Sequence, residues 1–563
     1  MLCGPLSWAV GTVEVLLIPV LLLVVLPGLW LARRLGLFEH SAGRWVAAVV
    51  ATGLCAASIP WQGVDFSVLK HVNLLLAVAA AVLFLIHRLR PIPAWRLDLS
   101  LLVLVCLSVA NYSNYFAFHG QRVFVHLHDV AHYYLASKYY GELGYTDLYT
   151  AMLRAEAENH ENRFKAVEAR DLATYKRVHV RELLQQSDVV KARFSAEHWL
   201  RFRLDVEYFR SHLGEHYGKV LLDHGFNPTP VWALGGGFLA RQVPAGSARG
   251  ILWLTLLDPM ALGLTLSCVF WAFGRRATLL TALFFCIVFG STFGWVGGAF
   301  LRYPWFFGVI AGFCCIKKRH YGAAGLLFAI ATMLRVFPVF FLAPLVAKAA
   351  LTVYRRRSRR PSSLYLPARY QRLGISFVAT CSVLFLATAT LPKGFEHWLD
   401  FRTNMQLHVR NIAPNVVGST EVLAHGWSSR KMVTEEEFEA LKVRRHRIHQ
   451  AQQILLFLPL CAWVAWSSRR RSDLAAMLLA APLLLTGLSL AAYYYVFMAL
   501  LVIYFRNDPS RLVAIFTCEA ASYAFRLFEG SDGRLFVYRT IAVAWLYVYL
   551  FLKAPVLKDP ILK

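Results

Sequence analysis

Charge is scarce in this 563-residue chain: 16% of its residues are charged, and 33 Asp and Glu are outnumbered by 59 Lys and Arg. A soluble domain carries about 25% charged residues, and a disordered chain combines high charge with low hydrophobicity. Both classes are excluded. Cysteine offers no framework either. Ten are present, at Cys3, Cys55, Cys106, Cys268, Cys286, Cys314, Cys315, Cys381, Cys461 and Cys518, all in or beside apolar stretches. None falls in the two long polar loops, which excludes a disulfide scaffold and a cysteine-ligated metal there. No P-loop, no GxGxxG after a strand and no nucleophile elbow occurs. What abounds is apolar sequence: 58% of residues are hydrophobic and the mean hydropathy is +0.49. Apolar runs recur from end to end, so the expected fold class is an all-α polytopic membrane protein.

The formal charge of +26 does not imply nucleic acid, and no nucleic-acid partner is expected. The basic residues sit in short clusters between apolar runs, the pattern that fixes orientation in a membrane. These clusters are Arg33/Arg34/Arg44, Arg88/Arg90/Arg96, Arg275/Arg276, Lys317/Lys318/Arg319, Arg355 to Arg360, Arg469 to Arg471 and Arg506/Arg511. The first apolar run, about Trp8 to Ala32, is too long for a signal-peptide core and is expected to stay as a helix. Fourteen further runs follow, between residues 44–60 and 536–552. Together they predict about 12–15 transmembrane or re-entrant helices. Placing every basic cluster in the cytoplasm requires an even number of crossings between neighbouring clusters. The run Tyr321 to Ala350 then goes out and returns, breaking at Arg335-Val336-Phe337-Pro338, where proline ends a helix. One place leaves two solutions open: either 228–243 re-enters, or Ile251 to Gly274 breaks at Asp258-Pro259.

With that sidedness two long polar loops, 119–228 and 393–451, face outward. From 147 to 213 the first loop has neither proline nor glycine, and Leu148 to Gln186 predicts one or two amphipathic helices on the membrane surface or over a cavity. Their charges are expected on solvated faces. Thr434 to His449 predicts a capped surface helix, and the Arg/Ser stretch 355–363 a cytoplasmic linker. Gly235-Gly236-Gly237 lies in an apolar segment and reads as close helix packing.

The most specific local pattern is Leu127 to Tyr149, LHDVAHYYLASKYYGELGYTDLY. It begins just beyond a span. An Asp at a membrane interface can take a proton from an incoming hydroxyl; equally, Asp129 can cap the juxtamembrane helix. His126, His128 and His132 flank it. Without a helical i,i+4 ligand set beyond His128 and His132, no metal is expected.

The pattern D-x-x-x-Y/H-Y-x-A followed by G-x-x-x-L-Y resembles the first outer loop of the GT-C glycosyltransferases, closest to the family 87 type. That type includes polyprenol-phosphate-mannose-dependent mannosyltransferases. Four further stretches are similar to the family's in the same order. They are Asn227 to Trp232, Ile251 to Leu254, Met333 to Pro338 (Arg335 standing where Lys is usual) and Ala492 to Val496. His408 with Asn415-Val416-Val417-Gly418 fits the family's His…Asn-rich loop more loosely. The resemblance spans about 97–505; residues 1–90 and the insertion 150–220 fall outside it.

The resemblance implies a helical bundle with an outward-facing cavity, and inverting sugar transfer from a polyprenyl-phosphate donor to a hydroxyl acceptor. Asp129 matches the family's catalytic carboxylate. The leaving lipid phosphate needs a cation, and Arg335, Arg302, His408 and Arg410 lie on the expected outer side. An intramembrane Arg at a proline break is costly and points to function, and a guanidinium suits phosphate geometry. Snorkelling, interfacial anchoring beside Tyr303 and Trp305, or plain loop solvation are the alternatives. Tyr494 within Tyr493–Tyr495, His132, Tyr133 and Asn415 complete the expected substrate-binding set; an interfacial aromatic belt is the other reading of the tyrosines.

The expected organisation is extra N-terminal helices over 1–96, a GT-C-like core over 97–350, a basic linker over 351–371 and C-terminal helices over 372–563. The expected partners are a polyprenyl-phosphate sugar donor, a lipid or glycan acceptor and membrane lipids, with no cofactor. The expected place is a bacterial inner membrane with the site on its extracytoplasmic side. A secondary transporter or lipid-linked sugar flippase is the alternative, although no hydropathy repeat pairs two halves of the chain.

Overall fold

The computed structural model describes residues 63–161, 163–359, 366–410, 415–425, 435–528 and 532–552. The first two apolar runs, the cluster Arg33/Arg34/Arg44, Cys3 and Cys55, and residues 360–363 of the Arg/Ser stretch 355–363 lie outside the described residues. The described chain is mostly helical, 75% helix against 3% strand. Along the sequence come α1 (Phe66–Leu89) and α2 (Ala94–Tyr112). The first polar loop holds α3 (Leu127–Lys138), α4 (Leu148–Asn159), a short hairpin of β1 (Glu168–Arg170) and β2 (Arg177–His179), and α5 (Ala196–Leu213). Next are α6 (Pro230–Arg241), α7 (Ala248–Phe273) and α8 (Arg275–Ile287). Then α9 (Pro304–Lys317), α10 (Tyr321–Leu334), α11 (Ala343–Arg359), α12 (Ala368–Ala387) and α13 (Glu396–Arg410) follow. The chain ends with β3 (Val416–Val417), α14 (Glu435–Ser468), α15 (Ala480–Gly487), β4 (Leu490–Ala491), α16 (Pro509–Phe528) and α17 (Asp532–Leu552).

Six of these helices contain a stretch long and apolar enough to cross a membrane: α1, α2, α7, α12, α14 from Arg447, and α17 from Arg534. Their outward faces are apolar. On α1, Leu75, Val78, Val82, Leu85, Ile86 and Leu89 are exposed at helical spacing, and on α12 so are Ile375, Val378, Val383 and Leu386. Stripes of that size are a liability in water and at home in lipid. The 14-residue helices α9 and α10 are too short to cross upright. They are covered by protein instead: Phe306, Val309, Ile310, Phe313 and Phe328 are essentially buried. The contact is close enough that a Cβ on Gly325 of α10 would collide with the Leu373 carbonyl of α12.

The described residues form two units interleaved along the chain. One gathers the residues up to Phe124, Phe273–Gly297 and Ala492 to the end of α17. Its interior holds a charged pair, Arg539 Nη2 to Glu519 Oε1 at 2.7 Å, with both side chains essentially buried. Glu519 Oε2 accepts the Phe289 N–H at 2.8 Å, and Arg539 donates to Ser522 Oγ at 2.6 Å. Breaking one half of such a pair strands the other charge. Arg539→Met is therefore expected to cost about 3–5 kcal/mol of stability, read as a lowered melting temperature of the detergent-solubilised chain. Asp98 accepts from both Arg275 (3.0 Å) and Arg276 (2.9 Å), tying α2 to α8.

The second unit comprises Val125–Ala272 and Gly298–Ala491. Three expectations change here. The stretch 148–186 is not helical throughout, because α4 stops at Asn159 and the hairpin follows. Its charges are not all on solvated faces: Arg210 donates to the wholly buried Glu156 at 2.7 Å, and Arg170 is buried against the Leu222 and Tyr175 carbonyls. The loop packs around its own core, with Tyr134, Leu135, Met152, Leu153, Phe202, Val206 and Phe209 at its centre. The charged run starting at Glu435 is the first part of the continuous 34-residue α14, not a separate surface helix.

Of the two solutions left open at 228–243 and Asp258-Pro259, the helix break is not observed. The 12-residue α6 is too short to span, and α7 runs unbroken through Pro259. The break at Arg335 and Val336 is present between α10 and the 3-10 turn Phe337–Phe341. At the far end of α10, Asp473 gathers Lys348 (2.6 Å), Tyr321 (2.6 Å) and Tyr370 (2.8 Å). All eight cysteines among the described residues are unbridged.

Candidate functional site

The site begins with α3. His126 caps this helix, its Nδ1 accepting the Asp129 N–H at 3.0 Å. Asp129 is thus freed from the capping role and stands in the first turn. Its Oδ1 is ion-paired with the Arg302 guanidinium, the two side chains being 12% and 10% exposed. Its Oδ2 is buried with no hydrogen-bond partner among the described residues. Charge-bearing carboxylate oxygens are seldom left bare in an interior, so this atom marks a place where another group belongs.

Arg302 is placed by a residue the sequence reading did not select. Asp258, buried within α7, accepts the Arg302 N–H at 3.0 Å and the Tyr303 N–H at 2.9 Å. Those donors sit at the entry to α9, just after Leu301 in the left-handed region at φ 53°. Such a backbone costs of order 1–3 kcal/mol, and two charge-assisted bonds offset it. Asp258→Ala leaves two buried donors without acceptors, about 1–3 kcal/mol each. The expected result is a lower melting temperature in detergent, with Asp258→Asn intermediate because its amide oxygen still accepts.

Tyr133 has two cations near its ring. The Arg302 and Arg335 guanidinium carbons each stand 5.9 Å from its ring centroid. Trp232 and Phe226 hold that ring edge-on, at 5.3 and 6.0 Å between centroids. The segment Asn227 to Trp232 fixes both cationic turns. The Thr229 hydroxyl donates to the Met333 carbonyl, two residues before Arg335, and the Trp232 indole donates to the Leu301 carbonyl at 3.2 Å. Behind it, Gly237 lets α6 approach α3: a Cβ there would collide with the Ser137 carbonyl.

His132 and His408 join the same region. His132 is buried; its Nδ1 lies 2.8 Å from the His128 carbonyl, and its Nε2 lies 2.7 Å from the Tyr149 hydroxyl and 3.0 Å from the Val220 carbonyl. His128 Nε2 is 3.2 Å from Asp223 Oδ2. His408, on α13, is 3.4 Å from the Tyr175 hydroxyl and packs edge-on against His224 at 5.9 Å. Burial pushes the His408 imidazole below its ordinary value, with the Asp223 charge opposing and the Arg335 charge assisting. Burial likewise pushes His224 down to about 4. Both rings are neutral at physiological pH.

Of the expected site residues, Asp129, Arg302, Arg335, His132, Tyr133 and His408 therefore fall in one unit and are linked through the contacts above. Asn415 is in the same unit, half-buried just before β3, which pairs with β4. Arg410 ends α13, and its side chain lies outside the described residues. Tyr494 belongs to the other unit, where it packs on Tyr493 at 4.6 Å while Tyr495 is buried. Asp258, Asp223, Tyr149 and Tyr175 were not selected from sequence. Only Tyr149 carried a signal, as the last residue of the Leu127 to Tyr149 pattern. No family model, no curated protein and no solved structure matches the chain.

Proposed function

We propose that the chain is a membrane-embedded, inverting glycosyltransferase that moves a sugar from a polyprenyl-phosphate donor to a hydroxyl acceptor on the extracytoplasmic face. One observation carries the reading: a buried carboxylate with one oxygen held by a guanidinium and the other bare, beside a tyrosine ring with two arginines near it. Asp129 Oδ2 takes the proton of the acceptor hydroxyl as that oxygen bonds to the sugar's anomeric carbon. The bond from that carbon to the donor's phosphate oxygen breaks, and its electron pair leaves with the lipid phosphate. Negative charge grows there, and Arg335 stabilises it. Arg302 holds Oδ1 of Asp129 and so fixes which oxygen faces the acceptor; neutral His408 offers the phosphate a hydrogen bond. Six apolar helices, long enough to cross a membrane, suit a chain whose donor is carried on a lipid.

The reading is tested with membranes containing the chain and labelled polyprenyl-phosphate mannose, glucose and arabinose. Labelled product from one donor, absent from membranes lacking the chain, is the expected result. Product from none of the three would defeat the assignment to this donor class.

A further inference from the structure

We propose that His128, His132 and Asp223 hold a divalent transition-metal ion, with zinc the best match. This departs from the expectation of no metal drawn from sequence, and it stands whatever the chemistry at Asp129. His128 and His132 are one turn apart on α3, and Asp223 reaches them from the loop before Asn227; one ligand atom from each lies within 4.8 Å of the others. Two imidazoles and a carboxylate form a zinc-type donor set with positions left open.

The orientation of His132 fits the same reading. Its Nδ1 faces the His128 carbonyl at 2.8 Å, and a neutral imidazole carries one N–H. With Nδ1–H given to that carbonyl, Nε2 presents its lone pair, which the Tyr149 hydroxyl reaches at 2.7 Å and which a cation would take in its place. Ligand atoms about 2.0–2.1 Å from one ion stand roughly 3.0–3.4 Å apart. Within the set, His128 Nε2 and Asp223 Oδ2 meet that spacing at 3.2 Å, and all three ligand atoms lie inside 4.8 Å. The second nitrogen of His132 bonded to a backbone carbonyl is the usual outer support of a metal-bound histidine.

The test uses the full chain purified without a polyhistidine tag, stripped with chelator and equilibrated separately with zinc, manganese and cobalt. Metal content is counted by mass spectrometry, and the cobalt form is read for visible ligand-field bands. The expected result is one metal per chain, with at least about tenfold weaker retention in His128→Gln and Asp223→Asn and none lost in His198→Gln. His128→Gln alters a partly exposed ring, and equal melting temperatures of the metal-free chains check that the fold is kept. Equal metal in native chain and variants would overturn the site. So would no retention of any of the three metals, leaving a histidine–carboxylate hydrogen bond to account for the geometry.

Discussion

Asp129→Asn is expected to lower sugar transfer by about 10²–10⁴-fold, the usual loss on removing a general base. The amide matches the carboxylate in shape and still accepts from Arg302, so the Asp129–Arg302 contact survives without its charge. What disappears is the proton-accepting capacity of Oδ2, the oxygen with no described partner. The loss should fall on turnover, with donor KM within a few-fold of native. Asp129→Glu, which restores a carboxylate in the wrong place, should recover only part of the rate. Equal turnover by native and Asn chains, at equal protein level and melting temperature, would remove Asp129 from the chemistry.

Arg335→Ala is the second large effect. Losing a donor that meets charge developing in the transition state costs about 10²–10³-fold in turnover, and Arg335→Lys should restore part of it because a single ammonium cannot match the guanidinium fork. The alanine variant should fold, because Arg335 sits at the break between α10 and the 3-10 turn, outside any regular helix. Measuring initial rate against donor concentration separates the cases. A raised KM with unchanged turnover would make Arg335 a ground-state anchor and contradict its place at the leaving phosphate.

Much of this arrangement was legible because its parts are local. The proline break that exposes Arg335 needs only Arg335-Val336-Phe337-Pro338 in sequence, and α10 ends there. The Leu127 to Tyr149 pattern concentrates Asp129, His132, Tyr133 and Tyr149 within 23 residues, six turns of chain at most. Asp258 escaped selection as a site residue for a physical reason. Beside Pro259 it offered a helix break as one of two solutions, yet the helix continues and the carboxylate is spent on backbone donors 44 and 45 residues away. No local pattern announces a partner at that separation.

The hairpin after α4 was hidden by propensity. Its sequence, rich in Glu, Ala, Arg and Leu, favours helix, but packing prevails: buried Arg170 needs the Tyr175 and Leu222 carbonyls, which a helix would not present. One sign was readable. Asp171 accepts from the Ala173 N–H at 2.9 Å and the Thr174 hydroxyl at 2.7 Å, a turn that D-x-x-T encodes. Asp223 had no sign at all, since a lone Asp before His224-Gly225 reads as ordinary loop. The role of Asn227 to Trp232 also emerged only in three dimensions, as the brace that holds both arginine turns.

The most direct test of the central claim counts both products in one sample. Purified chain in liposomes is given a single labelled polyprenyl-phosphate sugar and the membrane acceptor identified from the donor screen, and released polyprenyl phosphate is measured beside glycosylated acceptor. Transfer predicts that the two accumulate one for one and that both stop with Asp129→Asn. Donor that crosses the bilayer intact, with neither product formed, would contradict transfer and make the chain a carrier of lipid-linked sugar.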